Sequence, residues 1–155
     1  MAAHVICQVR AAAGISEISV LSPLQPDFAD VHWLKDAGRG LNGELASVLG
    51  QDRVLVIHAD LPLLNAADVD ALLAEASRAG AAIAPDRAGT GTNALALVAP
   101  AAVKTAFGVD SFALHKAMFP AAAIIKRPGL ALDIDFPEDL DLATAAGALP
   151  IACPI

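Results

Sequence analysis

The chain has 155 residues, a length that suits one domain and can bury a core without disulfides or a structural metal. Apolar residues make up 56% and charged residues 17%, against about 45–50% and about 25% in ordinary globular domains, which excludes a disordered chain. Ten Lys and Arg against 17 Asp and Glu leave a formal net charge of −7, and with five Phe, one Trp and no Tyr this argues against nucleic acid as a partner.

Residues 1–13 are Ala-rich, with Val5, Ile6 and Val9 at helical spacing and Gly14 as a stop, and predict a helix. Ile15–Leu21 alternates and predicts a strand, followed by a Pro/Asp-rich loop over 22–30 and a short strand at Val31–Leu34. Leu41–Leu49 has the length and period of a small helix. Arg53–His58 is a nearly continuous β-branched run, the pattern of a strand covered on both faces in a parallel sheet. Asn65 is a good N-cap for a helix over Ala66–Ala79, which Gly80 closes. Ala81–Pro85 and Asn93–Ala99 predict strands on either side of a Gly/Thr loop, and Ser111–Phe119 predicts a helix. Ala122–Lys126 and Leu130–Ile134 read as strands around the turn Pro128-Gly129. Pro137 starts a last helix, and 147–155 read as a loose tail.

Strands alternating with helices predict a three-layer α/β fold with a mostly parallel sheet, in one domain over 1–155. Ligands in such sheets bind beyond the carboxyl ends of the strands. No apolar run approaches the ~18–20 residues of a membrane helix. The N-terminal residues place Arg10 inside their apolar part and do not read as a secretory signal, so a cytoplasmic protein without a membrane partner is expected. Cys7 and Cys153 lie far apart and outside zinc-ligand spacing, as thiols rather than a metal site or staple.

Three stretches carry chemistry. In HADLPLL (58–64) a carboxylate follows the most apolar strand, so Asp60 is a candidate ligand for Mg²⁺, although Asp is also a favoured turn residue. His58 reads as a core or supporting histidine. In LDIDFPEDL (132–140), Asp133 and Asp135 lie two apart and in extended chain point the same way, toward one cation. Glu138, Asp139 and Asp141 read as structural, on the first turn of a helix. In PDRAGTGTNAL (85–95), small residues expose backbone N–H groups, Thr adds donors and Arg87 adds charge, which suits a phosphate or carboxylate as well as a plain solvent loop. Ser111, in FGVDSF (107–112), stands at a helix start, either as an anion-binding group or as a simple cap.

Taken in order, GLN (40–42), ADLPLL (59–64), APDRAGTGTNAL (84–95), FGVDSF (107–112) and GLALDIDFPEDL (129–140) resemble the 2-phospho-L-lactate guanylyltransferase family, which includes the phosphoenolpyruvate guanylyltransferases of coenzyme F-420 biosynthesis. The resemblance implies a nucleotide-diphospho-sugar transferase-like, Rossmann-like fold. It also implies transfer of GMP from GTP, with Mg²⁺, to the phosphate of phosphoenolpyruvate, 2-phospho-L-lactate or 3-phosphoglycerate, with release of pyrophosphate. Carried over by motif, Thr92, Gly108 and Ser111, with Arg87 nearby, would hold the acid. Asp60, Asp133 and Asp135 would bind metal, with Asp60 and Asp133 catalytic, and Gly40, Leu41 and Asn42 would lie against the nucleotide. Family members begin one element earlier, with a central strand and a Pro/Lys/Arg-bearing loop, so the resemblance also implies an N-terminally truncated domain, whose exposed edge leaves a homodimer open. The alternatives are a catalytically silent ligand-binding or assembly protein, and a transferase using another nucleotide.

Overall fold

Helix α1 (Ala2–Ala11) buries Val5, Ile6 and Val9, the residues its helical spacing brings to one face. The computed structural model describes residues 1–50, 53–98 and 104–148. After α1, strands β1 (Ser19–Ser22) and β2 (His32–Lys35) pair in parallel, Val20 opposite Trp33. They are followed by α2 (Leu41–Val48), β3 (Val54–Ile57), α3 (Ala66–Ala79), β4 (Ala81–Pro85) and β5 (Thr92–Leu97). Helix α4 (Ser111–Met118), the two-residue β6 (Ala123–Ile124), α5 (Pro128–Ala131) and α6 (Pro137–Ala145) complete the described elements.

The main sheet has the order β3-β5-β4-β6. Strand β5 runs antiparallel to both β3 and β4, and only β4 and β6 are parallel, so the sheet is mixed rather than mostly parallel. The cause is the link between β4 and β5: residues 86–91 are too few for a crossover of a dozen or more, and the chain must turn straight back. Helices lie on both faces, which gives the expected three layers. On one face Ala82, Ala84, Ala94 and Ala96 meet Val69, Leu72 and Ala76 of α3 and Val5 and Val9 of α1. On the other, Ile83, Leu95 and Leu97 meet Leu45 of α2 and Phe107. Small side chains on this sheet face let α3 approach closely.

Strand β3 departs from expectation, for its four residues are only half-buried. One edge pairs with β5 and the other has no ladder partner among the described residues, and the same holds for β1 beside β2. Between them runs a groove of about 700 Å³, lined by Ile18 and Val20 on one side and Leu55 and Ile57 on the other, with Leu45 and Leu73 from the helices. Asp60 lies on its wall.

The segment 130–134 is not a strand. Pro128 starts the single turn α5 instead, Arg127 Nε binds Asp68 Oδ1 at 2.5 Å, and the carbonyls of Leu130 and Ala131 are taken by the Asn93 side chain rather than by a ladder. Gly129 is required there, because a Cβ would stand 1.9 Å from Asp68 Oδ2. Nor are Gly147 and Ala148 loose. Gly147, at φ 87°, donates to Thr144 and Ala148 donates to Ala143, closing α6 in a Schellman motif, while 149–155 lie outside the described residues. No helix among the described residues is long and apolar enough to cross a membrane.

Candidate active site

Three stretches far apart in sequence meet at the N-terminus of α4. Asp110 (φ 56°) caps the helix, so Ser111 is its first helical residue rather than the cap. The Ser111 N–H donates to Gly108 O at 3.1 Å and the Phe112 N–H donates to Thr90 O at 3.0 Å, which fastens the Gly/Thr loop against the helix start. Gly108 has φ 118°, a backbone state that side chains rarely allow, and it makes the bend that aims the chain into α4. Thr92 and Ser111 are both buried, and the Ser111 hydroxyl makes no hydrogen bond among the described residues. A helix N-terminus with a hydroxyl on its first residue favours an anion. Thr92, Gly108 and Ser111 are thus brought together as a group.

Arg87 does not join them as a free cation. Its Nη2 donates to Asp139 Oδ1 at 3.0 Å, and Asp139 Oδ2 accepts the N–H groups of Asp135 and Phe136. Asp139 is 6% exposed, so its role is structural through buried bonding to loop and helix start rather than through solvation. The Gly/Thr loop and the acidic stretch before α6 are therefore tied by a charge-assisted hydrogen bond.

The carboxylates are distributed differently. Asp60 Oδ1 is buried without any hydrogen-bond partner, an expensive state for a carboxylate oxygen. Such an orphan fits a hard cation, which would satisfy it. Asp133 is half-buried and Asp135 exposed, and the stretch is not an extended strand that aims both one way. Among the described residues no group of three or more His, Cys, Asp or Glu forms a ready metal cage. Asn93 sets the spacing between the two acidic stretches: its backbone O accepts from His58 N at 2.9 Å, and its Nδ2 donates to Leu130 O and Ala131 O at 3.1 and 3.3 Å. Asp60 and Asp133 follow within three residues on either side of this knot. The His58 ring packs 5.6 Å from Phe107, and its buried Nε2 has no partner.

Gly40, Leu41 and Asn42 start α2. Gly40 is its cap at φ 74°, and Leu41 is exposed along the groove. The Asn42 amide is largely spent within the protein: Oδ1 accepts from Phe107 N–H and Thr105 Oγ1, and Nδ2 donates to Phe107 O. The loop before α2 is held by Glu44, whose Oε1 accepts the N–H groups of Ala37 and Arg39 and whose Oε2 pairs with the Arg39 guanidinium at 2.6 Å. That hydrogen bond from the Arg39 side chain, then the one from its backbone N–H, holds the Glu44 carboxyl down at about 2. Glu44 and Asn93 were not singled out by motif, since Glu44 binds the loop before α2 and Asn93 binds α5, contacts the sequence does not display. His115 was missed as well, although its place one turn after Ser111 puts both on one face of α4.

The model of the family described as "Guanylyl transferase CofC like" matches residues 3–144. The chain belongs to that family. A protein of Sphaerobacter thermophilus named phosphoenolpyruvate guanylyltransferase is 37% identical over 164 residues, covering 96% of this chain and 78% of that protein. One of the same name from Chloroflexus aggregans is 34% identical over 165 residues, covering 94% of this chain and 82% of the other. Among solved structures, 2-C-methyl-D-erythritol 4-phosphate cytidylyltransferase from Thermus thermophilus matches with a TM-score of 0.62 at 18% identity, over 94% of this chain and 89% of that one. This last likeness concerns the fold alone, an α/β fold shared with that cytidylyltransferase. In this guanylyltransferase-family chain the start of α4, the Asp60 carboxylate and the start of α2 come from different elements, with Asn93, Asn42 and Asp139 bonding between neighbouring elements.

Proposed function

We propose that this chain transfers GMP from GTP to the phosphate of phosphoenolpyruvate and releases pyrophosphate, at the cytoplasmic step of coenzyme F-420 biosynthesis that the family resemblance implies. The family match and the relatives' names support the reaction, and the convergence of Thr92, Gly108 and Ser111 at the start of α4 is the observation that carries the acid's site.

A phosphate oxygen of the acid attacks the α-phosphorus of GTP. The new P–O bond forms as the bond from the α-phosphorus to the bridging oxygen of pyrophosphate breaks, so no protein nucleophile is needed, and catalysis rests on positioning and charge neutralisation. Ser111 and the N-terminus of α4 bind the acid's anionic groups, and Gly108 keeps the backbone close to them. Arg87 acts through Asp139 to hold the Gly/Thr loop, and Glu44 shapes the loop through which Gly40, Leu41 and Asn42 face the nucleotide. Asp60, with Asp133 as a second carboxylate and Asp135 at the solvent side, would hold Mg²⁺, which when bound neutralises phosphate charge. Few protein ligands suit this ion, because it keeps waters and substrate phosphate oxygens in the remaining positions.

The test is pyrophosphate release from Mg·GTP with phosphoenolpyruvate, phospholactate and phosphoglycerate compared side by side. Release is expected with phosphoenolpyruvate foremost, and Asp60→Asn should lower it by about a hundredfold or more. No release with any of the three acids, or an unimpaired Asp60→Asn variant, would overturn the proposal.

A further inference from the structure

His115 is 0% exposed and its two ring nitrogens have unlike neighbours. The Ala106 backbone N–H donates to Nε2 at 3.0 Å, so Nε2 must present a lone pair. The neutral ring then carries its proton on Nδ1, which stands 3.0 Å from Thr92 Oγ1. A charged ring would set two N–H donors against each other at Nε2, and burial in addition pushes the His115 pKa below its ordinary value. Thr92 Oγ1 therefore accepts from the histidine, and its own proton must go elsewhere. Among the described residues no acceptor meets it, although Thr92 is 1% exposed. A buried hydroxyl with an unspent proton points to a ligand.

We propose that His115 is a positioning residue that orients the Thr92 hydroxyl to donate to an oxygen of the phosphorylated acid, a role that rests on the function proposed above. An isolated threonine hydroxyl rotates and serves a donor or an acceptor equally well. With one lone pair engaged by Nδ1–H its proton is directed away from the ring and left for an acceptor, and the phosphate and carboxylate oxygens of the acid are acceptors. Phe107 meets the ring edge-on with centroids 4.8 Å apart and planes at 70°, and Asn42 holds Phe107 through both its N–H and its C=O. Ser111 stands one turn before His115 on the same helix face, so one helix carries both Ser111 and the brace of Thr92.

Two measurements on the full chain test this. In histidine labelled with ¹⁵N, the signal lost in His115→Asn identifies the residue, and long-range ¹H–¹⁵N correlation should show Nδ1 protonated and Nε2 bare at neutral pH. An Nε2–H or doubly protonated ring would overturn the proposal. In pyrophosphate-release kinetics, Thr92→Val and His115→Gln should each raise KM for phosphoenolpyruvate by about tenfold or more with KM for GTP within about twofold. His115→Asn, which keeps an N–H donor at the δ position, should recover to within about threefold, and the Thr92→Val/His115→Gln pair should be no worse than either single change. An active wild type whose two KM values shift together in step with lost thermal stability would reduce His115 to a packing residue and sink its role alone. A wild type with the expected tautomer that neither turns over phosphoenolpyruvate nor binds it in calorimetry would sink the function reading, and this role with it.

Discussion

The corner where β4, β5 and α4 meet and the groove between β1 and β3 differ in how their polar groups are answered. At the corner, Asn93, Asn42, His115 and Asp139 each bind partners on other elements, several of them 23 to 65 residues away. Along the groove, β1 and β3 each turn an unpaired edge toward apolar space among the described residues, and β3 is half-buried where β4 and β5 are fully buried. The lesson is a division of labour: on the function proposed above the tightly bonded corner would set the geometry for the acid, while Asp60 lies on the wall of the less densely bonded groove.

The comparison breaks most visibly under truncation of core side chains. Ile83→Ala, at 0% exposure in β4, should cost about 3–4 kcal/mol in urea denaturation, whereas Leu55→Ala on the groove should cost about 1 kcal/mol because solvent already reaches it. Equal losses would show the groove to be as well packed as the corner. Gly129→Ala should cost about 3 kcal/mol, since the new methyl would be driven into Asp68 Oδ2 and 2.8 Å from Leu63 O, and thermal unfolding would register it. Asn93→Ala should follow at about 2 kcal/mol by leaving the Leu130 and Ala131 carbonyls unpaired. It should also lower transferase turnover more than that stability loss explains, because it unties the Asp133 stretch from the Asp60 stretch.

The smallest effects concern pH. The Glu44 carboxyl sits at about 2 against an ordinary 4.5, so its stabilisation is fully present above pH 4.5 and is lost as pH falls from there toward 2. In Glu44→Gln the stability-versus-pH curve should lose slope in that window, and an unchanged slope would show that Arg39 does not hold the loop in solution. His115 is depressed below its ordinary 6.5 by burial, so the unfolded chain takes up that proton first and stability should fall as pH drops below about 6.5. His115→Asn should flatten that part of the curve.

Much of the fold was legible because it is written in short-range patterns. The α3 helix runs over Ala66–Ala79 with Asn65 as its cap and Gly80 in the left-handed state at its end, as spacing and cap chemistry predict. The misread segment 130–134 shows the opposite case. Its residues alternate like a strand, but the carbonyls of Leu130 and Ala131 found a side chain from β5, and Arg127 found Asp68, so the ladder was never available. The sheet's direction was misjudged for a similar reason: β-branched runs report burial, while the six residues between β4 and β5 decide whether the chain turns back.

For the site, the sequence alone determined which residue types are present and in what order, and that was enough to name the family, because motifs such as PDRAGTGTNAL and LDIDFPEDL need no coordinates to be compared. Which of those residues meet was decided only by the tertiary structure. Thr92, Gly108 and Ser111 converge, Arg87 is spent on Asp139, Asp60 is left with an orphan oxygen, and His115 acquires a tautomer. The physical reason is that a buried polar group's chemistry is set by the partner that satisfies it, and here those partners come from distant parts of the chain.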